Sequence, residues 1–158
     1  MARLNEPLVS VLINCYNGED FLKDAIDSVY AQTYQNWEIV FWDNASTDNT
    51  KSIACSYTEK LRYFKASKLT NVHVARNLAV EQCKGLAVAF LDADDMWLPN
   101  KLENQIKIFT EGHRIIYGGY KYVDESGKST GFEQTNCPSG FLTSQLIVLY
   151  YFDLSFLA

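Results

Sequence analysis

With 158 residues, 47% of them hydrophobic and 14% aromatic, the chain is long enough to bury one substantial core, and this composition excludes a disordered protein. The formal net charge of −5 and the absence of a basic run exclude a nucleic-acid-binding surface. No stretch approaches the roughly 20 apolar residues that a membrane span requires, and the first residues lack a secretory signal pattern. The four cysteines lack zinc or redox spacing, so we expect reduced thiols in a cytoplasmic protein.

Strand and helix patterns alternate along the chain, with short apolar runs between segments that carry apolar residues at helical spacing. The predicted strands are 8–14, 37–42, 61–64, 88–91 and 114–123, the predicted helices are 21–30, 46–60, 72–84 and 98–111, and 129–140 is predicted to be a loop. In the third helix we expect Val72, Ala75, Ala79, Val80 and Cys83 to point inward. This order predicts an α/β fold with a mostly parallel central sheet and helices on both faces. We find no linker or repeat, so residues 1–158 are predicted to form a single domain.

Clustered carboxylates follow the fourth predicted strand, where four apolar residues lead directly into Asp92-Ala93-Asp94-Asp95. Alternate positions of an extended segment lie on the same side, so Asp92 and Asp94 could share a hard divalent cation, directly or through water. Ligands of open α/β sheets sit at this carboxyl end of the strands. The alternative is a solvated turn in which an aspartate caps the following helix.

Further polar residues are predicted at the same edge of the sheet. Asp43 ends the second strand and could accept from an N–H of a base or sugar, or cap the next helix. Tyr16 and Asn17 close the first strand, where Tyr16 could stack on a base or simply be an exposed tyrosine. Arg76, on the mostly apolar side of a helix, needs a counter-charge from Asp43, from Asp92 or from a phosphate, and a structural salt bridge is the alternative to phosphate binding.

Several common site types are missing from the sequence. There is no glycine-rich phosphate loop, which excludes a dinucleotide dehydrogenase and a P-loop NTPase, and no G-x-S-x-G motif of an α/β-hydrolase. A phosphatase of the haloacid dehalogenase type also places Asp-x-Asp after an apolar strand. That class has Thr or Val two residues after the second aspartate, where this chain has Met96.

Four segments, taken together, resemble the N-terminal half of the family 2 inverting glycosyltransferases, which have the GT-A fold. The matching stretches are VSVLINCYNGE (9–19), WDNASTDNT (42–50), ARN (75–77), and FLDADDMW (90–97) continuing to KLE (101–103), and the resemblance covers about residues 8–125. It implies that Tyr16 and Asp43 hold the nucleotide base beside Cys15 and Asn17, and that Arg76 reaches the nucleotide. It further implies that Asp92 lies near the ribose and a metal-bound water, and that Asp94 is the ligand to Mn²⁺ or Mg²⁺.

The chain departs from that family at three places. Cys15 stands where the family usually has Pro or Thr, and Asn71 stands nearest to a usual glycine, where we expect asparagine to tolerate a left-handed backbone. The family's catalytic base belongs to a later acidic motif, but Asp153 is the only acidic residue after Glu133 and lacks the expected neighbours. No base can therefore be assigned, and the acceptor-binding part is short or missing. The apolar segment 146–157 could pack on the core, pair with a second copy, or contact a membrane surface.

The leading functional hypothesis is a metal-assisted transfer of a sugar from a nucleoside-diphosphate donor, UDP-linked by family habit, to an acceptor hydroxyl with inversion. The acceptor would be a carbohydrate or a lipid-linked saccharide in surface polysaccharide synthesis, in the cytoplasm or at the inner face of the membrane. A domain that binds the nucleotide sugar without transferring it is the main alternative, because no base motif is present. The dehalogenase-type phosphatase is the third.

Overall fold

The computed structural model describes residues 6–57, 59–124 and 128–135 of the chain. Within these ranges, four βα units are followed by a β-hairpin. The elements are β1 (Val9–Cys15), α1 (Leu22–Tyr30), β2 (Trp37–Asp43), α2 (Thr50–Cys55), β3 (Leu61–Lys65), α3 (Val72–Val80), β4 (Ala87–Asp92), α4 (Lys101–Thr110), β5 (Tyr120–Val123) and β6 (Ser129–Gln134). The first four strands form one parallel sheet in the order β3-β2-β1-β4. The predicted α/β fold is therefore confirmed.

Both faces of the parallel sheet are covered by helices, as predicted. Successive side chains of a strand point to opposite faces. On one face, odd-numbered residues of the strands, such as Val11, Ile39 and Phe41, share a buried cluster with side chains of α1, α2 and α4. On the other face, α3 contacts β1 and β2 and buries Ala75 and Ala79. Val72 and Val80 are each 40% exposed, so their predicted inward orientation is wrong.

The third helix ends at Val80 and not at residue 84, and its end is set by contacts with the sheet. The backbone N–H of Lys84 donates to Glu38 Oε1 (2.9 Å) and to Ser10 Oγ (3.1 Å), and Gly85 N–H donates to Ser10 Oγ (2.8 Å). These donors are therefore no longer available to continue the helix. Cys83 lies beyond the helix and is partly buried.

Glu38 is the centre of this contact at the amino end of the sheet. It also accepts from Ser10 Oγ (2.8 Å) and pairs with Arg62 Nη1 (3.0 Å). Burial alone would raise the pKa of Glu38, but hydrogen bonds from Ser10, from the Lys84 N–H and from Arg62 outweigh it and hold the pKa below 4.5. The carboxylate therefore helps to hold β1, β2 and β3 to the end of α3.

Two other predicted helices have different bounds. The second was predicted at 46–60 but begins at Thr50 and ends at Cys55. It ends early because Tyr57 turns onto α1, where its hydroxyl donates to Asp27 Oδ1 (2.6 Å). The fourth begins at Lys101 and not at residue 98. Just before it, the carbonyl oxygen of Pro99 accepts from Thr33 N–H (2.8 Å), so this segment is held by the residues that follow α1 before the fourth helix starts.

The predicted fifth strand at 114–123 is wrong in both extent and place. Only Tyr120–Val123 is a strand, and it pairs antiparallel with Ser129–Gln134, a segment predicted to be a loop. Gly118 and Gly119 interrupt the apolar run before β5 and offer no side chains for packing on the sheet. Asp124 N–H donates to Lys128 O (2.9 Å), which closes the hairpin locally.

Candidate functional site

The predicted site residues come together where the parallel strands end. Cys15 lies opposite Asp43 across β1 and β2, and Asn14 lies opposite Asp92 across β1 and β4. The chain proceeds from β1 through β2 to β3, and then crosses back to place β4 on the other side of β1. This reversal is the topological switch point at which open α/β sheets bind ligands.

A cleft of about 280 Å³ opens at this switch point. Tyr16 is 49% exposed beside it, and Asp94 is also exposed. Five of the seven predicted nucleotide and metal residues line the cleft, although they come from segments about 75 residues apart in the sequence. The lining consists of Asn14, Cys15, Tyr16, Asn17, Gly18, Phe21, Val72, Asp92, Ala93 and Asp94.

Arg76 reaches the same edge of the sheet from α3. Its Nη2 atom donates to Asp92 Oδ1 at 2.6 Å, and the two side chains are 13% and 29% exposed. Of the counter-charges considered from the sequence, the structure therefore supplies Asp92 and not Asp43. The pair holds the Asp92 carboxylate at the cleft, and contact between Arg76 and a phosphate stays a prediction.

Asp43 lies behind the cleft and is fully buried, with a relative exposure of 0%. Its Oδ1 accepts from Ser46 N–H (2.6 Å), and its Oδ2 accepts from the hydroxyl of Tyr63 (2.5 Å) and lies 3.8 Å from Lys65 Nζ. Burial, and then this hydrogen bond to a carboxylate, raise the pKa of Tyr63 well above its ordinary value. In this arrangement Asp43 braces the loop after β2 rather than capping α2, and its contact with a base stays a prediction.

The loops after β1 and β2 are joined by reciprocal hydrogen bonds. Asn17 N–H donates to Ser46 Oγ (3.0 Å), Gly18 N–H donates to Thr50 Oγ1 (3.0 Å), and Asn17 Oδ1 accepts from Thr47 N–H (2.9 Å). Asn17 itself adopts a left-handed backbone with φ of 52°. Ser46, Thr47 and Thr50 thus hold the neighbouring loop and with it the position of Tyr16.

Cys15 has a buried thiol whose pKa lies above its ordinary value. Burial raises its pKa to about 11, and the nearby carboxylates of Asp48 and Asp43 add to that rise, although a hydrogen bond with Thr50 lowers it. A Cβ atom added to Gly18 would lie 2.5 Å from Cys15 Sγ. Glycine at 18 is therefore required by the close approach of this sulfur.

Asn14 lines the cleft but is not among the site residues predicted from the sequence. Its side-chain oxygen is buried without a hydrogen-bond partner among the described residues, and the residue lines the cleft beside Asp92. Such an oxygen is an acceptor for a ligand or a cation. The available signal was its place as the last side chain but one of a buried strand on the predicted edge.

Oxygen donors at the cleft suit a divalent cation that is shared with a ligand. Among the described residues, no three His, Cys, Asp or Glu side chains are grouped so that they could hold a metal by themselves. Mg²⁺ and similar ions commonly use one or two carboxylates together with substrate phosphates. The exposed Asp94, Asp92 and the oxygen of Asn14 fit that second kind of site.

In the described part of the chain, no helix is long and apolar enough to cross a membrane.

Asn71, expected to tolerate a left-handed backbone, instead has an extended one with φ of −70° and ψ of 159°. Its side-chain oxygen accepts from Val74 N–H (3.0 Å) and caps α3. The residues of the apolar segment 146–157, and Asp153 within it, lie outside the described residues.

Curated relatives of the chain include two proteins with named roles. The putative teichuronic acid biosynthesis glycosyltransferase TuaG of Bacillus subtilis is 36% identical over 77% of this chain and 50% of its own length. The UDP-Glc:alpha-D-GlcNAc-diphosphoundecaprenol beta-1,3-glucosyltransferase WfgD of Escherichia coli is 34% identical over 78% of this chain and 49% of its own length. An uncharacterized glycosyltransferase of Rickettsia felis is 42% identical over 78% of this chain but only 21% of its own length. The chain thus spans between a fifth and a half of these relatives.

Solved structures and a family model agree with these relatives. TarS of S. aureus in complex with UDP-GlcNAc has a TM-score of 0.68 and 26% identity, over 74% of this chain and 35% of that one. The mannosyltransferase PcManGT from Pyrobaculum calidifontis in complex with GDP-Man and Mn²⁺ has a TM-score of 0.65 and 26% identity, over 77% of this chain and 37% of that one. The model of glycosyl transferase family 2 matches residues 10–154, which is most of the sequence. The chain therefore belongs to glycosyl transferase family 2.

Proposed function

We propose that this chain binds a nucleoside-diphosphate sugar, UDP-linked, and takes part in transferring the sugar to an acceptor hydroxyl with inversion. The observation that carries the proposal is the cleft at the ends of β1 and β4, which brings Cys15, Tyr16, Asn17, Asp92 and Asp94 together. Two relatives support a UDP-linked donor, because WfgD is named for UDP-Glc and TarS was crystallised with UDP-GlcNAc.

The charges at the cleft argue for a divalent cation with the donor. Asp92, Asp94 and Asp95 lie within four positions, and the pairing of Arg76 with Asp92 offsets one of these charges. The exposed carboxylate of Asp94 at the cleft would repel a diphosphate unless a cation lay between them. We assign the exposed Asp94 as the ligand to Mn²⁺ or Mg²⁺, with Asp92 nearby. When bound, such an ion neutralises the charge that develops on the diphosphate as the glycosidic bond breaks. The complex of PcManGT with GDP-Man and Mn²⁺ supports this assignment.

The other residues of the site would bind and orient the donor. Tyr16 presents a half-exposed ring at the mouth of the cleft, where a flat base can stack. Asn17 keeps this loop in place through its bonds to the loop after β2. Arg76 fixes the Asp92 carboxylate and brings a positive charge to the side of the cleft where the diphosphate would lie. Asp43, which lies behind this loop, would accept from an N–H of the base.

The acceptor and the biological setting are proposals that rest on the relatives. TuaG is named for teichuronic acid biosynthesis and WfgD for a lipid-linked saccharide acceptor, so we propose an acceptor saccharide in surface polysaccharide synthesis. Such acceptors would place the protein in the cytoplasm or at the inner face of the membrane. No described residue is assigned as the catalytic base.

Binding without transfer is the second candidate function, because this chain spans only part of its relatives and none of the residues that the structure describes is assigned as a base. The phosphatase alternative is wrong, because the chain belongs to a transferase family. Incubating the chain with a UDP-sugar, a saccharide acceptor and Mn²⁺ distinguishes the two that remain. Transfer or donor hydrolysis that is lost in Asp94→Ala would favour an enzyme, and binding without turnover would favour a binding domain.

Thermal unfolding with UDP, GDP and other nucleotides, each with and without Mn²⁺, tests the donor site directly. A ligand present at 100 times its Kd should stabilise the folded chain by about 2.7 kcal/mol. We expect UDP with Mn²⁺ to raise the melting temperature and Asp94→Ala to abolish that rise. Asn104→Ala, an exposed substitution on α4 away from the cleft lining, is the control that should keep the rise. If no nucleotide shifts the unfolding temperature in the presence of the metal, the donor-site proposal is wrong.

A further inference from the structure

We propose that Gln32 is a positioning residue that sets the location of Asp94, and this inference rests on the proposed donor site. Gln32 follows the end of α1 and is only 1% exposed. Its Nε2 group donates to the carbonyl oxygens of Ser28 (3.1 Å) and Leu98 (2.8 Å), and its Oε1 accepts from Leu102 N–H (3.0 Å). Both ends of the buried amide are therefore used, and two of its three bonds reach the segment after Asp94.

Ser28 of α1 and Thr33, which follows that helix, hold the same segment. Ser28 Oγ accepts from Trp97 N–H at 3.1 Å, and Thr33 N–H donates to Pro99 O at 2.8 Å. Together with the bonds of Gln32, these contacts attach Trp97, Leu98, Pro99 and Leu102 to one turn of chain at the end of α1. We call residues 28, 32 and 33 the α1 clasp. Gln32 contributes two of the clasp's four bonds to residues 97–102 and is its most buried member, and Thr33 Oγ1 also donates to Glu103 Oε2 (2.8 Å).

The clasp fixes one end of the loop that carries Asp94. The other end of the loop is Asp92, which is held in β4 opposite Asn14 and by its ion pair with Arg76. Only residues 93–96 lie between these two anchors, and Asp95 N–H donates to Asp92 O (3.1 Å) within them. So short a loop has few conformations when both ends are fixed. The place of the Asp94 carboxylate therefore depends on where the clasp holds Trp97 and Leu98.

A polar clasp defines position better than apolar packing would. An apolar side chain at 32 could fill the space, but several arrangements of the following segment would then be similar in energy. The amide of Gln32 allows only those arrangements of the segment in which it hydrogen-bonds both the Leu98 carbonyl and the Leu102 N–H, because leaving a buried polar group unpaired is costly. Metal ligands must be held within a fraction of an ångström of their productive position, which is what such support provides.

Titration of Mn²⁺ in the presence of saturating UDP tests the inference, with the loss of the free-Mn²⁺ electron paramagnetic resonance signal as the readout. Gln32→Met keeps the length of the side chain and removes all three bonds. Ser28→Ala removes one contact to Trp97 and is the milder variant if Gln32→Met does not fold. Ile26→Val, a fully buried substitution on the same helix, is the control for a general loss of stability.

We expect the Kd for Mn²⁺ to rise at least about tenfold in Gln32→Met and by a smaller factor in Ser28→Ala, as for other residues that support metal ligands. Ile26→Val should lower the unfolding temperature and leave the Kd unchanged. If wild type binds Mn²⁺ with UDP and the clasp variants bind it equally well, Gln32 has only a structural role and the inference is wrong. If wild type itself binds no Mn²⁺ with UDP, the proposed function is wrong and the inference falls with it.

Discussion

Replacing Gly18 by alanine should destabilise the chain through one specific collision. The new methyl group would lie 2.5 Å from Cys15 Sγ and 3.6 Å from the Cβ of Ala93. Cys15 is 2% exposed, so its sulfur can relieve the collision only by moving toward the cleft that the residue lines. The backbone is not the obstacle, because the left-handed conformation in this turn belongs to Asn17. Overpacking of this kind costs about 1–3 kcal/mol of unfolding free energy.

A double-mutant cycle with Cys15→Ala separates this collision from other effects. The second substitution removes the sulfur, so Gly18→Ala should cost at least about 1 kcal/mol less in that background than in wild type. Gly118→Ala is the matched control, because no atom lies within 4 Å of its added methyl group, and it should change stability by less than about 0.5 kcal/mol. Urea unfolding measures the unfolding free energies of the four proteins of the cycle (wild type, the two single variants and the double variant) and of the control. Costs that simply add, without coupling between positions 15 and 18, would refute the collision.

Three further predictions concern single positions. Asn71→Ala should cost about 1 kcal/mol in urea unfolding, because the side chain caps α3, whereas Asn100→Ala should cost less, since that N-cap residue of α4 makes no side-chain cap bond. Ala45→Gly should raise the unfolding free energy by up to about 1 kcal/mol because residue 45 has φ of 68°, and Ala31→Gly, with φ of −79°, should lower it. The pKa of Glu38 is lowered in the folded chain, so its contribution to stability is present above about pH 4.5 and is lost as the pH falls through the folded pKa. Glu38→Gln should therefore lose less unfolding free energy than wild type when the pH is lowered from about 5 to about 3.

The four parallel strands could be predicted because their signals are local. Each of them is a compact run of apolar side chains, and Asp43 and Asp92 mark the ends of two. A parallel sheet brings such ends to one edge whatever the loops do, so the common location of the predicted site followed from the order of elements alone. The hairpin of β5 and β6 was missed because the apolar run before it also satisfies a strand pattern, and only the pairing partner distinguishes the two arrangements.

The contacts that organise the loops could not be predicted, because their partners are distant in the sequence. Ser46 and Thr50 accept from the loop after β1, about 30 residues earlier in the sequence. Gln32 carries no motif, and its partners Leu98 and Leu102 lie 66 and 70 residues away. Polar side chains of this kind are specified by three-dimensional neighbours, which periodicity and spacing do not reveal.

Burial divides the predicted site residues into two physical kinds. Tyr16 and Asp94 are exposed at the cleft, so a ligand can reach them without rearrangement of the protein. Asp43 is fully buried and already accepts from Ser46 and Tyr63, so its removal would leave the partly buried hydroxyl of Tyr63 and the buried backbone N–H of Ser46 without this acceptor even when no nucleotide is bound. Loss of nucleotide binding after substitution of Asp43 would therefore report a disordered loop as readily as a lost contact. Substitution of Asp94 changes the cleft alone, which makes Asp94 the position at which ligand binding can be tested without a confounding loss of stability.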